Sequence, residues 1–138
     1  MNSFSASQTE RAGTKSGLIY VVDDEPMILD LTRAVLLPEG HRVECFRDAA
    51  TAFSAFTAQT PRPDLVIADF HMHPMNGLEF LRLLRRVHPA QRVLMISGTV
   101  SASFFESLAC QPDGFLAKPY PARQLVEAVR ALLRSQSA

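Results

Sequence analysis

The sequence predicts an α/β fold in which five parallel strands form one sheet with helices on both faces. Five short, mostly apolar segments alternate along the chain with segments whose apolar residues recur at helical spacing. The first and third strand segments are continuous apolar runs, which is typical of strands buried on both faces of a parallel sheet. The alternation therefore indicates five β–α units joined by right-handed crossovers.

The first β–α unit begins with the apolar run Leu18 to Val22, which stops abruptly at the acidic residues 23–25. Pro26 suits the first position of a helix, because a proline there loses no hydrogen bond. The apolar stripe of this helix is formed by Ile28, Leu31 and Val35. The segment Pro38-Glu39-Gly40 is expected to end it.

The second unit has a short strand at residues 42–46, followed by Asp48 as the expected N-cap of a helix. The third strand, residues 65–68, is a buried apolar run that ends at Asp69. A loop at residues 70–76 then opens a helix with leucines on one face.

The last two units follow the same pattern. The fourth strand is predicted at residues 92–96, and residues 100–108 carry a weak signal for a short helix. The fifth strand is predicted at residues 114–117 and ends at Lys118-Pro119. The final helix follows Pro121.

Length and composition favour one globular domain. The chain has 138 residues, of which 47% are hydrophobic, and this is enough for a packed core. We expect residues 1–16 to be a flexible leader and residues 17–138 to form the domain. The formal net charge of zero argues against a large basic surface that binds nucleic acid. No apolar run suggests a membrane span or a secretory signal, so cytoplasmic localisation is expected.

The two cysteines, Cys45 and Cys110, lie in apolar segments without the spacing of metal ligands. We expect them to be buried thiols rather than a disulfide.

Residues able to do chemistry stand at four of the five strand ends. The first strand ends at Asp23 and Asp24, the third at Asp69, the fourth at Ser97 and the fifth at Lys118. Ligands of open parallel sheets bind beyond the carboxyl ends of the strands. We therefore expect three carboxylates, one hydroxyl and one ammonium in a single crevice.

This set of groups favours phosphoryl transfer with a divalent metal. Neighbouring carboxylates repel one another, and a bound cation relieves the repulsion. Oxygen ligands without thiolates suit Mg²⁺, or Mn²⁺, better than Zn²⁺. A carboxylate can then attack phosphorus while the metal, the ammonium and the hydroxyl stabilise the phosphoryl oxygens.

At this point the sequence closely resembles the receiver domain of two-component response regulators. The matching segments are Val21 to Pro26, Asp69 to Gly77, Met95 to Gly98 and Phe115 to Tyr120, and the resemblance covers residues 18 to about 134. It implies a flavodoxin-like (βα)5 fold with strand order 2-1-3-4-5.

The resemblance also implies a role for each site residue. Asp69 matches the phosphoacceptor, and Asp24 looks like a direct metal ligand with Asp23 bound through water. The backbone carbonyl of His71 looks like a further metal ligand, and Lys118 matches the ammonium that contacts the phosphoryl group.

The remaining correspondences concern the switch. Ser97 matches the switch hydroxyl and Phe115 the aromatic rotamer switch, and the bond before Pro119 is expected to be cis. In one departure, Pro74 stands one position later than is usual in the family, and His73 fills the usual proline position.

The function implied is a phosphoacceptor switch that receives its phosphoryl group from a histidine kinase or a histidine phosphotransfer protein. Such a domain is not a metabolic enzyme, since it catalyses only its own phosphorylation and dephosphorylation. We expect a stand-alone receiver with an unidentified target protein and no direct binding to nucleic acid or membrane. A homodimer could form through the fourth helix, fifth strand and fifth helix.

Other interpretations stay open at this level. The chain could be a small phosphatase-like enzyme with an aspartyl-phosphate intermediate, or a receiver fragment of a larger hybrid kinase or regulator. Asp23 and Asp24 could simply cap the first helix, and Ser97 could simply be a turn residue. Finally, Asp69, His71 and His73 could chelate Zn²⁺.

Overall fold

The computed structural model of the chain describes residues 16–135 and confirms the predicted architecture. The strands are β1 (Leu18–Val22), β2 (Arg42–Phe46), β3 (Leu65–Asp69), β4 (Val93–Ser97) and β5 (Gly114–Ala117). They form one parallel sheet in the order β2-β1-β3-β4-β5. The helices are α1 (Pro26–Leu36), α2 (Ala49–Ala58), α3 (Gly77–Val87), α4 (Ala102–Glu106) and α5 (Ala122–Ser135), with a 3₁₀ turn at Leu37–Glu39. The predicted leader, residues 1–16, lies outside the described residues except for Ser16.

The sheet separates two apolar cores, because successive side chains of a strand point to opposite faces. In β1, Leu18, Tyr20 and Val22 pack with α2, α3 and α4, whereas Ile19 and Val21 pack with α1 and α5. All five residues of β1 are buried. The continuous apolar run in the sequence is therefore explained by helices on both faces.

Side-chain caps define where two helices begin. The carboxylate of Asp48 accepts a hydrogen bond of 2.7 Å from the Thr51 amide at the start of α2. Asn76 and Glu79 form a reciprocal capping box at the start of α3, with two bonds of 2.9 Å. The α3 cap fixes the end of the loop that follows Asp69.

The structure corrects three details of the sequence prediction. The buried residues of α1 are Leu29, Thr32 and Leu36 rather than the predicted stripe, of which Leu31 is exposed and the other two residues are partly buried. Helix α4 spans Ala102–Glu106, shorter than the predicted segment 100–108, and Phe105 is its only buried residue. Cys45 and Cys110 are free thiols as expected, but both are partly rather than fully buried. Within residues 16–135, no helix combines the length and the apolar character that crossing a bilayer requires.

Candidate functional site

The carboxyl ends of β1 and β3 bring three carboxylates together, as the strand-end pattern predicts. Asp69 is the last residue of β3, and Asp23 follows β1 directly. Both are buried, with 5% and 3% of their surface exposed, whereas Asp24 is exposed. One oxygen from each of the three lies within 4.8 Å of the other two. This spacing allows the three carboxylates to share a single small cation, directly or through water.

Lys118 supplies the positive charge next to this cluster. Its Nζ lies 3.5 Å from Asp69 Oδ1 and 4.0 Å from Asp23 Oδ2. The Lys118 amide donates a hydrogen bond of 2.9 Å to the Ser97 carbonyl, which continues the pairing of β4 and β5 to the edge of the site. The bond between Lys118 and Pro119 is cis, as the resemblance implies.

The electrostatics of the cluster reflect burial and like charge. Burial, together with the charge of Asp69, raises the pKa of Asp23 to about 6, although the hydrogen bond from the Glu25 amide and the charge of Lys118 oppose the rise. Burial also raises the pKa of Asp69, against the effect of Lys118 and of a hydrogen bond from the His71 backbone. One ammonium thus only partly compensates the buried negative charge.

Ser97 ends β4 and is completely buried. Its Oγ accepts hydrogen bonds from the amides of Thr99 and Val100, at 3.1 and 3.0 Å. The hydroxyl therefore stabilises the turn after β4, which is one of the two roles considered for Ser97 from the sequence. It also stands at the strand end where the switch hydroxyl is expected.

Phe115, the predicted switch aromatic, lies in β5 beside Met95 of β4. It is partly buried, and its ring centroid is 5.7 Å from that of Phe105 in α4. Of the two phenylalanines in α4, Phe105 is in the core, whereas Phe104 is 42% exposed.

The zinc interpretation finds no support in the described part of the chain. Asp23, Asp24 and Asp69 are the one group there of three or more His, Cys, Asp or Glu side chains close enough to share a metal ion. His71 and His73 belong to no such group, and both are exposed.

Sequence reasoning missed two contacts around the acceptor. The imidazole Nε2 of His71 hydrogen-bonds the Thr99 hydroxyl and so joins the loops that follow β3 and β4. Phe70 packs its ring against His71, Phe104 and Phe105. The adjacent residues Phe104 and Phe105 could have suggested an aromatic contact with Phe70. No pattern in the sequence signals the hydrogen bond between His71 and Thr99.

A family model described as the response regulator receiver domain matches residues 19–130. The match includes all five strands, apart from Leu18 at the start of β1, and all the predicted site residues.

Curated relatives match over most of this chain. The alkaline phosphatase synthesis transcriptional regulatory protein SphR of Synechococcus elongatus is 37% identical over 131 residues, covering 89% of this chain and 51% of that protein. The DNA-binding response regulator MtrA of Mycolicibacterium smegmatis is 33% identical over 84% of this chain and 50% of its own length. The chain thus spans about half the length of these relatives.

Solved structures share the fold. A CheY-like response regulator receiver domain protein from Methanospirillum hungatei aligns with a TM-score of 0.79 at 26% identity, covering 90% of this chain and 100% of that one. NtrX from Brucella abortus aligns with a TM-score of 0.80 at 30% identity, over 89% of this chain and 28% of NtrX.

Proposed function

The chain belongs to the response regulator receiver domain family of two-component signalling, and on that premise we propose that Asp69 is its phosphoacceptor. One observation carries the proposal. Asp69 is a buried carboxylate at the end of β3, 3.5 Å from the Lys118 ammonium and clustered with Asp23 and Asp24. Receiver domains are phosphorylated by histidine kinases and are typically not true enzymes.

The donor set fits Mg²⁺ or Mn²⁺. All the side-chain ligands in the cluster are carboxylate oxygens, which hard divalent cations prefer. Asp24 and Asp69 would hold the ion directly together with the His71 carbonyl, and Asp23 would hold it through water. When bound, the ion neutralises negative charge on the phosphoryl oxygens.

In the proposed transfer, a carboxylate oxygen of Asp69 attacks the phosphorus of a phosphohistidine in the donor protein. An O–P bond forms and the N–P bond breaks; its electron pair stays on the imidazole nitrogen, which takes up a proton from solvent. Lys118 favours the ionised, nucleophilic form of Asp69 against the effect of burial. The same ammonium then stabilises charge on the phosphoryl group.

For readout, we propose that the Ser97 hydroxyl donates a hydrogen bond to the new phosphoryl group. Its present bonds to two amides would be exchanged for this one, and Ser97 would move towards Asp69. Phe115 would then change its rotamer, as a shift between two existing states. The surface of α4, β5 and α5 would change shape and could bind a target or a second copy.

The phosphodonor protein must reach Asp69 from the carboxyl edge of the sheet. There, α1 exposes Met27 and Leu31, with 73% and 57% of their surface accessible, beside a groove of about 380 Å³ that also reaches Lys118. We place the donor contact on this face. Leu31→Asp should slow transfer from a donor protein but leave labelling by acetyl phosphate unchanged.

The direct test of the acceptor is intact mass spectrometry after incubation with acetyl phosphate and Mg²⁺. The wild type should gain one phosphoryl group, Asp69→Asn should gain none, and the exposed α1 variant Asp30→Asn should label normally. Equal labelling of the Asp69→Asn variant would contradict the proposal. Multiple turnover of a chromogenic phosphate ester would instead favour the phosphatase-like alternative.

A further inference from the structure

Four phenylalanine rings form a connected cluster between the end of β3, where Asp69 lies, and β5. Phe105 lies at its centre, with ring centroids 5.9 Å from Phe70, 5.1 Å from Phe104 and 5.7 Å from Phe115. Phe70 and Phe104 also contact each other at 5.8 Å. These distances lie within the range in which aromatic pairs attract one another. Phe105 is thus the one ring that contacts the other three.

Within this cluster, Phe70 directly follows Asp69, and its backbone is held in place by hydrogen bonds. Its amide donates a hydrogen bond of 2.8 Å to the Ile96 carbonyl, and its own carbonyl accepts one of 2.9 Å from Gly77. A Cβ on Gly77 would lie only 2.9 Å from the Phe70 Cα, so the start of α3 is pressed against this residue. The Phe70 backbone is therefore held from both sides.

Helix α4 is attached to the protein chiefly through Phe105. The helix has five residues, which is too short for stability without tertiary contacts, and Phe105 is the only one buried. The Phe105 ring lies against Phe70 on one side and the switch aromatic Phe115 on another. The position of Phe105 thus determines what Phe115 packs against in its present conformation.

We propose that Phe105 is a positioning residue for the switch: it holds Phe115 in its present rotamer, with Phe70 as the fixed support. The inference rests on the proposed function, because it names the residue that sets the balance between the two states of Phe115. Loss of a favourable aromatic pair should change that balance by about three- to tenfold. Because coupling between sites is reciprocal, the site at Asp69 should then bind a phosphoryl mimic more readily.

The test uses the full chain with Mg²⁺ and follows the aromatic NMR signal of Phe115 during titration with beryllium fluoride. In Phe105→Leu, the signal without beryllium fluoride should move towards its saturated position, and half-saturation should occur at about three- to tenfold lower concentration. Phe105→Met, a second apolar side chain of similar size to Leu that also lacks a ring, should behave alike if the ring is what matters. Phe70→Leu and Phe104→Leu each remove a ring that contacts Phe105, and they should act in the same direction more weakly. Glu106→Gln, at an exposed position of the same helix, is the control that should match the wild type.

An unmoved Phe115 signal and unchanged half-saturation in both Phe105 variants would overturn the inference, as would an equal effect of Glu106→Gln. These results would leave the proposed function intact if Asp69 is labelled and the wild-type Phe115 signal responds. A wild-type Phe115 signal that ignores beryllium fluoride would overturn both the readout and this inference. Failure of acetyl phosphate labelling at Asp69 would count against the proposed function itself.

Discussion

Removing one charge from the carboxylate cluster should stabilise the metal-free protein. Asp23 is 3% exposed, beside Asp69 and with Lys118 at 4.0 Å. Asp23→Asn keeps the shape of the side chain and an oxygen able to accept the 2.9 Å hydrogen bond from the Glu25 amide. It removes the ionisable group while leaving Lys118 paired with Asp69 at 3.5 Å. The variant therefore isolates the free energy of ionising this buried carboxyl.

The size of the effect follows from the pKa of Asp23, which is raised from 3.8 to about 6 in the folded protein. Each pKa unit corresponds to about 1.4 kcal/mol, so ionised Asp23 lowers the free energy of unfolding by about 3 kcal/mol at neutral pH. The sign follows from linkage: the contribution to stability is complete below the unfolded pKa of 3.8 and is lost as pH rises through about 6. The advantage of Asp23→Asn should thus be about 3 kcal/mol at pH ~7.5 and about 1 kcal/mol at pH ~4.5.

The assay is urea denaturation of the wild type and Asp23→Asn in EDTA at the two pH values. Comparing the proteins at the same pH cancels the titration of other groups. For a domain of this size, 3 kcal/mol corresponds to a rise in melting temperature of roughly 10 °C at neutral pH. Asp30→Asn, at an exposed site on α1, is the control and should show no comparable gain. A variant no more stable than wild type at pH ~7.5, or a gain equal at both pH values, would refute the reasoning.

Three other features of the molecule can be tested by substitution: the metal site, the close packing at Gly77 and the buried imidazole of His41. Mg²⁺ should raise the melting temperature of the wild type by mass action, and Asp24→Ala should lose this gain while the neighbouring Glu25→Ala keeps it; an unchanged response in Asp24→Ala would place the metal elsewhere. Gly77→Ala should cost about 1–3 kcal/mol in urea denaturation, because its Cβ would lie 2.6 Å from a methionine sulfur and 2.8 Å from a backbone oxygen; a neutral effect would contradict the close packing. Burial lowers the pKa of His41, whose Nδ1 accepts a hydrogen bond from the Gly17 amide, so stability should fall as pH drops below 6.5. Urea denaturation should show a smaller fall for His41→Gln, and an equal fall in both proteins would exclude His41 as the cause.

The carboxylate site could be predicted because its members occupy strand ends. A buried parallel strand is recognisable as an apolar run, and its last residue marks the carboxyl edge of the sheet. Once the strands before Asp23 and Asp69 were placed, parallel pairing was enough to bring these carboxylates together with Lys118. Aligned backbones thus gather residues that are far apart in the sequence.

The exposure of the arginines of α3 could not be predicted from strand ends or helical periodicity. In the sequence, Arg82, Arg85 and Arg86 look like one solvated group on the helix. In the structure, Arg85 turns inward, forms an ion pair of 2.7 Å with Asp113 and donates hydrogen bonds to two backbone carbonyls, whereas Arg82 and Arg86 are exposed. Helical periodicity places all three on α3 but does not specify which loop passes beside the helix.

The sequence by itself determined the five β–α units, the parallel sheet and the acidic cluster, because apolar periodicity and strand ends are local properties of the chain. Only the tertiary structure decided that Asp23 is buried while Asp24 is exposed, that His71 reaches Thr99, and that Phe105 rather than Phe104 enters the core. These outcomes depend on the paths of the loops after β1, β3 and β4 and on what each loop packs against. Burial and distance between non-adjacent segments are collective properties of the folded chain, and they set both the pKa of Asp23 and the packing of Phe115.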